Sequence, residues 1–305
     1  MLTARPTPEG FHVIDAFSRQ VRLGEGLWDD QMLQPAAIER AVDALEVCRD
    51  RIYNLQVARF RAIGTEACRR AGNVQAFVEM AKQRADISID IIDTHEEARL
   101  ALSACHPLLP EDCAKAVVFD IGGGSTQIVW STVVDGVMDR RSYISIPYGV
   151  IRLADRFGDT LFDRSVFAAC VDEIAASMAE FSDSNGIRDS IEDSDFAMVG
   201  TSGTVTTLAS MAQRLTRYDR RKVDGYILTS DEIDYVCGEI CSSTVDDLAT
   251  VPGIGSDRAD LVVAGCAIFE AIRRCWPVEE VRVADRGLRE GILVDLMGIN
   301  RRGQR

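Results

Sequence analysis

Residues 116–130 read AVVFDIGGGSTQIVW. An apolar run ends on Asp120, three glycines follow at Gly122, Gly123 and Gly124, and a second apolar run opens with Ser125, Thr126 and Gln127. Glycines at such a turn reach positive φ and let a ligand approach the backbone, leaving amide hydrogens as donors to an anion. Two familiar phosphate loops do not fit. A P-loop needs a lysine after its last glycine, the dinucleotide fingerprint needs a glycine where Gln127 stands, and both need a helix next, whereas TQIVW alternates as a strand. The alternative is a plain tight turn between two strands. Against it stands Asp120, a carboxylate at the end of a buried strand, costly there unless it meets a cation. Beside a phosphate loop Mg²⁺ is the natural choice, because it takes one or two carboxylates and completes its shell with substrate oxygens and water.

Outward from this stretch the chain alternates strand and helix signals. FHVIDAF and RQVRLGE read as paired strands, Pro35 to about Asn54 as an amphipathic helix, VARFRAIG and DISIDIID as strands flanking the helix NVQAFVEMAKQRA, and EEARLALSACH as a further helix. PLLPEDCAK reads as a hinge. After it come AVVFD, TQIVWSTVV and SYISIP as strands, helices over 149–157 and 165–182, the strand DFAMVG, a helix opening in TSGTVTTLASMA, the strand EEVRVA and a last helix LREGILVDLMG. At 305 residues the chain suits two domains, expected at 1–112 and 113–305, with the last helix packing back on the first.

Composition narrows the partners. A formal net charge of −14 argues against nucleic-acid and anionic-membrane binding, so a polyanionic substrate needs a local basic pocket or a bridging cation. No apolar run reaches the length of a membrane span and no signal peptide is present, which with nine scattered cysteines points to reduced thiols in a cytoplasm. Cys237 and Cys241 stand one helical turn apart as small core residues. The stretch VPGIGSDRADLV matches a DNA-binding helix-hairpin-helix pattern, but Asp246, Asp247, Asp257 and Asp260 around it disfavour a phosphate backbone.

Three further constellations carry chemistry. In IIDTHEEARLAL, Thr94 and Glu97 have capping-box spacing, Thr94 as N-cap and Glu97 as third helical residue. Alternatively Glu97 deprotonates a water for attack on phosphorus, which requires the helix to begin elsewhere. In VGTSGTVTTLA, Gly200, Thr201, Ser202, Gly203 and Thr204 put amides and hydroxyls at a helix start, a place for a phosphate or for ordinary capping. In GTEACRRA, Arg69 and Arg70 are solvated surface charges or, for one of them, an anion clamp.

Taken in order, GTEACRRA, EEAR, FDIGGGST, SIPYGVIRL, GTSGT, PGIGSDRADLVVAG and ADRGLREGIL resemble the exopolyphosphatase and guanosine pentaphosphate phosphatase family of the actin-like superfamily. The resemblance implies an α/β fold of two actin-like, ribonuclease-H-like domains flanking a cleft, and hydrolysis of terminal phosphates from polyphosphate or pppGpp with Mg²⁺. By motif it implies Glu97 as catalytic base, Asp120 as metal-linked carboxylate, Gly122, Gly123, Gly124, Ser125 and Thr126 as one phosphate loop, Gly200 to Thr204 as the other, and Arg69 as a phosphate contact. Gln127 stands at a metal position where relatives often carry glutamate, and the amide weakens metal affinity or water activation there. Relatives begin with a strand and a D-x-G-[ST]-N loop ahead of MLTARPTPEGFHVIDAFSR, so the first domain is expected to lack its N-terminal strand, with the native frame starting upstream of Met1. The second reading is a regulatory protein that binds polyphosphate or guanosine penta- or tetraphosphate with weak or no turnover. An actin-like kinase is disfavoured because GGGSTQ accompanies EEAR. Without a C-terminal helical module, short or nucleotide-linked substrates should be handled at least as readily as long chains. A homodimer stays open.

Overall fold

A computed structural model describes residues 1–8, 10–134, 137–193, 195–255 and 258–299. Asp257 and the chain end after residue 299 lie outside the described residues. The chain divides into two units, the first comprising Met1–Ala104 with Leu288–Arg305, the second Cys105–Gly287. The division falls before the expected hinge because Leu109 and Cys113 pack with Ala116 and Ala197 of the second unit.

Unit 1 opens with a hairpin of β1 (Leu2–Thr7) and β2 (Gly10–Ala16). The expected pairing of FHVIDAF with RQVRLGE does not form. Residues 17–26 hold no strand, and Arg22 takes a positive φ of 47°, which breaks an extended run. The partner is instead Leu2–Thr7, hidden from a sequence reading by Pro6, which an edge strand tolerates. The long helix α1 (Pro35–Asn54) follows, with proline at its favoured early position. Next come β3 (Ala62–Gly64), the short helix α2 (Glu66–Arg70), α3 (Val74–Ala85), β4 (Ile89–Ile91) and α4 (Thr94–Cys105). β3 and β4 pair in parallel, with Ala62 beside Ile89.

The strands of unit 1 thus form two separate two-stranded sheets, β1 with β2 and β3 with β4. Among the described residues neither β1 nor β3 has a strand on its second edge. A groove of about 870 Å³ is lined by Leu2 and Ala4 of β1, Ile63 of β3, Ile52 of α1, and two apolar residues, Ile292 and Leu296, of the last helix. That helix, α10 (Leu288–Met297), packs Ile292 on Ile92 and Leu100, and its Gly291 lies so close to α4 that a Cβ there would sit 2.3 Å from the Leu100 carbonyl oxygen.

Unit 2 is built on one six-stranded sheet, β5 (Lys115–Ile121), β6 (Thr126–Val134), β7 (Val137–Ile146), β8 (Phe196–Thr201), β9 (Ile227–Thr229) and β10 (Glu280–Ala284), in the order β7-β6-β5-β8-β10-β9. β5, β6 and β7 form an antiparallel meander, while β5, β8 and β10 run parallel. The helices that complete it include α5 (Val150–Phe157), α6 (Arg164–Ala176), α7 (Gly203–Ala212), α8 (Ser230–Cys241) and α9 (Ala259–Cys275). α9 is buried along most of its length and lays Phe269 against Phe119 of β5, ring centroids 5.7 Å apart. All nine cysteines are free thiols, Cys237 and Cys241 half-buried on α8. No helix among the described residues is long and apolar enough to cross a membrane.

Candidate active site

Sheet register gathers the polar residues of unit 2. β5 is apolar up to Asp120, which stands opposite Gln127 of β6 on one flank and Thr201 of β8 on the other. Gln127 in turn stands opposite Ser145 of β7. Directly opposed residues in neighbouring strands share a face, so Ser145, Gln127, Asp120 and Thr201 form a row across four strands. Gln127 and Thr201 are buried and Asp120 is half-buried. The Gln127 amide nitrogen donates to Ser125 Oγ at 3.2 Å and Ser145 Oγ at 2.9 Å, while its buried Oε1 has no hydrogen-bond partner among the described residues. A buried acceptor left this way costs about 1–3 kcal/mol unless something fills its lone pairs. Asp120 and this oxygen are a fit for a hard cation that keeps most of its own water. Among the described residues no three His, Cys, Asp or Glu side chains are grouped to hold a metal, so such an ion would lean on its substrate and water for the rest of its shell.

The glycine turn between β5 and β6 works by space rather than by backbone sign. None of Gly122, Gly123 and Gly124 takes a positive φ, contrary to the expectation from sequence. Gly122 N closes the turn on Ser125 O at 2.9 Å. The carbonyls of Gly122 and Gly123 turn away into the start of α5 and accept from Val150 N at 3.0 Å and Ile151 N at 2.9 Å. Gly149 lies against the turn so tightly that a Cβ on it would come within 2.4 Å of the Gly123 carbonyl carbon. Thr126 Oγ1 ties the same region to Tyr148 O at 2.7 Å, and Ser125 and Thr126 are buried. With the Gly122 and Gly123 carbonyls taken up by the helix start, the amides of Gly123 and Gly124 have no backbone partner among the described residues.

The second loop, Gly200 to Thr204, behaves largely as a helix cap. Ser202 holds a φ of 125°, and its Oγ accepts from Thr204 N at 3.2 Å and Val205 N at 3.5 Å. Thr201 donates its hydroxyl to Arg286 O. Gly200 is required by packing, since a Cβ would lie 2.4 Å from Phe119 Cζ. Over Gly203 lies the guanidinium of Arg258, its Nη1 3.6 Å from where a Cβ would be. Arg258 is a basic group at the loop that the sequence reading passed over, inside a stretch read only for its acidity.

In unit 1 the helix α4 begins at Thr94, one residue earlier than capping by Thr94 requires. Asp93 supplies the cap: its Oδ1 accepts from Glu96 N at 2.8 Å and its carbonyl from Glu97 N at 3.1 Å. The expected Thr94–Glu97 box is therefore absent, and Glu97 is released from capping. It is 7% exposed, with Oε2 2.7 Å from Arg69 Nη1. The contact is a close ion pair. Arg69 is fully engaged: Nε and Nη2 on Glu66 Oε2 at 3.2 and 2.8 Å, Nη1 also on Ile92 O at 2.8 Å. Glu66, equally buried, takes Arg70 Nε on its other oxygen at 2.8 Å. The Arg70 side chain is 56% exposed, and it, rather than Arg69, keeps Nη groups without a protein bond among the described residues.

The adjacent carboxylates Glu96 and Glu97 are pushed in opposite directions. Glu96 is drawn down to about 2 by its bond to Arg99, burial opposing and Arg61 adding to the pull. Burial pushes Glu97 above the ordinary carboxylate value; Arg69 resists and the negative charge of Glu66 adds to the rise. For Glu66 burial also pushes upward, but the bonds to Arg70 and Arg69 outweigh it and its value ends lowered.

An α/β chain with glycine-loop amides, a half-buried carboxylate in a polar row and a second buried carboxylate on an arginine has the parts of a phosphate-handling enzyme. Residues 3–299 match the Ppx/GppA phosphatase family, and the chain belongs to it. It is 26% identical over 304 residues to a guanosine-5'-triphosphate,3'-diphosphate pyrophosphatase of Aeromonas salmonicida, covering 98% of this chain and 57% of that protein. It is also 26% identical over 302 residues to a putative exopolyphosphatase of Haemophilus influenzae, covering 97% and 87%. The chain thus spans little more than half the length of the first of these relatives. The crystal structure of the Aquifex aeolicus Ppx/GppA family member superposes with a TM-score of 0.79 at 26% identity, over 98% of this chain and 94% of that one. An exopolyphosphatase of Cytophaga hutchinsonii shares the fold with a TM-score of 0.86 at 24% identity, over 97% and 94%.

Gly149→Ala would force its Cβ into the Gly123 backbone and displace the turn. The expected cost is about 1–3 kcal/mol in urea unfolding, with weaker protection by inorganic phosphate against heat; unchanged stability would show that the turn is not pinned there.

Proposed function

We propose that this chain is a phosphoanhydride hydrolase that releases terminal orthophosphate from inorganic polyphosphate or pppGpp, with Glu97 as the general base. One observation carries the assignment: of two neighbouring glutamates, one is held ionised far below neutrality by two arginines, and the other is buried, raised, and paired with a single arginine that Glu66 shares. Environments that separate two carboxylates in this way divide roles between them. In the reaction the oxygen of a water attacks the terminal phosphorus, the bond from that phosphorus to the bridging oxygen breaks, and the water proton passes to Glu97.

The amides of Gly123 and Gly124, with the start of α7 and Arg258, are the groups of unit 2 that would bind phosphate oxygens. Asp120 and Gln127 Oε1 would hold Mg²⁺, which when bound supplies neutralisation of charge on the terminal phosphate. Gly200, Thr201 and Ser202 serve this loop by packing and capping. Arg69 takes part by holding Glu97, and it reaches a phosphate only by giving up one of its present partners. The second reading, binding without turnover, is favoured by Gln127, whose amide brings no charge to the cation.

We also propose that the sheet of unit 1 is completed by one more strand lying in the groove between β1 and β3. The support is the pair of open edges and the size of the groove, since a strand of ordinary length in a layered sheet fills a slab on the order of 900 Å³.

Two experiments test these readings. Glu97→Gln should lower phosphate release from polyphosphate and pppGpp by at least ~100-fold while leaving substrate binding intact; turnover at the parent rate would remove Glu97 from the chemistry, and binding without release in the parent chain would favour the second reading. Hydrogen exchange on a form of the chain carrying an added N-terminal strand should slow the amides of Leu2–Thr7 and Ala62–Gly64; equal exchange in both forms would refute the strand.

A further inference from the structure

Within GTEACRRA only the two arginines carried a reading from sequence, yet Glu66 is the carboxylate on which that arginine pair converges. One of its oxygens takes Nε and Nη2 of Arg69, the other takes Nε of Arg70, and the residue is 7% exposed. A single carboxylate shared by two guanidinium groups at (i, i+3) and (i, i+4) is a geometric clamp on the first turn of α2. Its consequence reaches Glu97 through Arg69. With two of its nitrogens fixed on Glu66, Arg69 can present only Nη1 to Glu97, and that same Nη1 is also held by Ile92 O.

Charge balance sharpens the point. A buried carboxylate facing a lone arginine is stabilised as the anion and has little appetite for a proton. Here Arg69 is already matched by Glu66, so Glu97 faces a cation whose charge is largely offset. The charged groups acting on Glu97 are Arg69 and Glu66, both from α2. On its own helix the nearest acid, Glu96, is tied to Arg61 and Arg99. Arg70 acts on the other side of Glu66, drawing part of its charge toward solvent.

We propose that Glu66 is a positioning residue for Glu97: it fixes the Arg69 guanidinium in the one orientation that meets Glu97 and offsets its charge, so that Glu97 stays able to accept a proton. The proposal rests on the reading of Glu97 as general base, but the clamp itself is measurable without turnover.

The experiment is a side-chain carboxyl ¹³C titration of glutamate-labelled protein, with the Glu97 signal assigned by its loss in Glu97→Gln. Glu66→Gln keeps size and an acceptor while removing the charge, and should lower the Glu97 midpoint by about one pH unit or more. Arg70→Gln, at an exposed position, returns the charge of Glu66 to Arg69 and should move the midpoint upward; it decides the matter alone if Glu66→Gln does not fold. Glu66→Asp, which restores the charge, should bring the midpoint back toward the parent value. In the same variants the acid limb of the phosphate-release profile on polyphosphate should follow the midpoint, with KM little changed. A Glu97 midpoint indifferent to Glu66→Gln, or to Arg70→Gln where that variant stands alone, overturns the proposal. If Glu97→Gln keeps full phosphate release while the titrations shift as described, the clamp stands and the role of Glu97 as base falls.

Discussion

Pairing of β5 on both flanks is the constraint from which the polar end of unit 2 follows. The strand is apolar on both faces, as a central strand must be, and its register with β6 and β8 leaves no freedom in what stands beside its last polar residue. Asp120 comes to lie between Gln127 and Thr201 because Phe119 is matched to Ile128 on one side and to Gly200 on the other. A slip of one residue would send the carboxylate to the opposite face and drive Phe119 out of its contact with Phe269. Hydrophobic packing of α9 on the sheet therefore sets the position of a charge.

Unit 1 shows the complementary economy. Its candidate chemical group is a carboxylate whose hold on a proton burial strengthens, and the surrounding charges set how far that goes. Arg69 favours the anion, Glu66 opposes it, and the balance leaves Glu97 raised while Glu96, one residue away, is drawn strongly down. Such opposed shifts between sequence neighbours need opposite surroundings, and the helix geometry supplies them. Adjacent residues on α4 point about 100° apart, so Glu96 meets Arg61 and Arg99 while Glu97 turns to Arg69.

Much of this was legible in the sequence, for reasons that differ from place to place. The β5-turn-β6 stretch declared itself because apolar alternation, glycines and a lone aspartate all agree, and α1 because proline opens a periodic run. Other features depended on contacts that no local pattern records. The strand Leu2–Thr7 was masked by its proline, and RQVRLGE looked extended but is broken by the positive φ of Arg22. Glu97 matched a capping box, and only the helix start at Thr94 with Asp93 as cap frees it. The E-x-x-R-R spacing at residues 66–70 was the available signal for the clamp, but nothing in the sequence tells that Glu66 is buried or that Arg69, rather than Arg70, meets Glu97. The glycines of the turn were read for positive φ and turned out to be needed for room.

The metal half of the proposed chemistry depends on a cation at Asp120, beside the Gln127 oxygen that has no partner among the described residues. The direct measurement is calorimetric titration of Mg²⁺ into the protein with inorganic phosphate present, in the parent chain and in Asp120→Asn. Binding in the parent that weakens at least ~10-fold in the variant, with the fold unchanged by circular dichroism, is the predicted result. Equal Mg²⁺ affinity in the two proteins, or no binding in the parent, would contradict it.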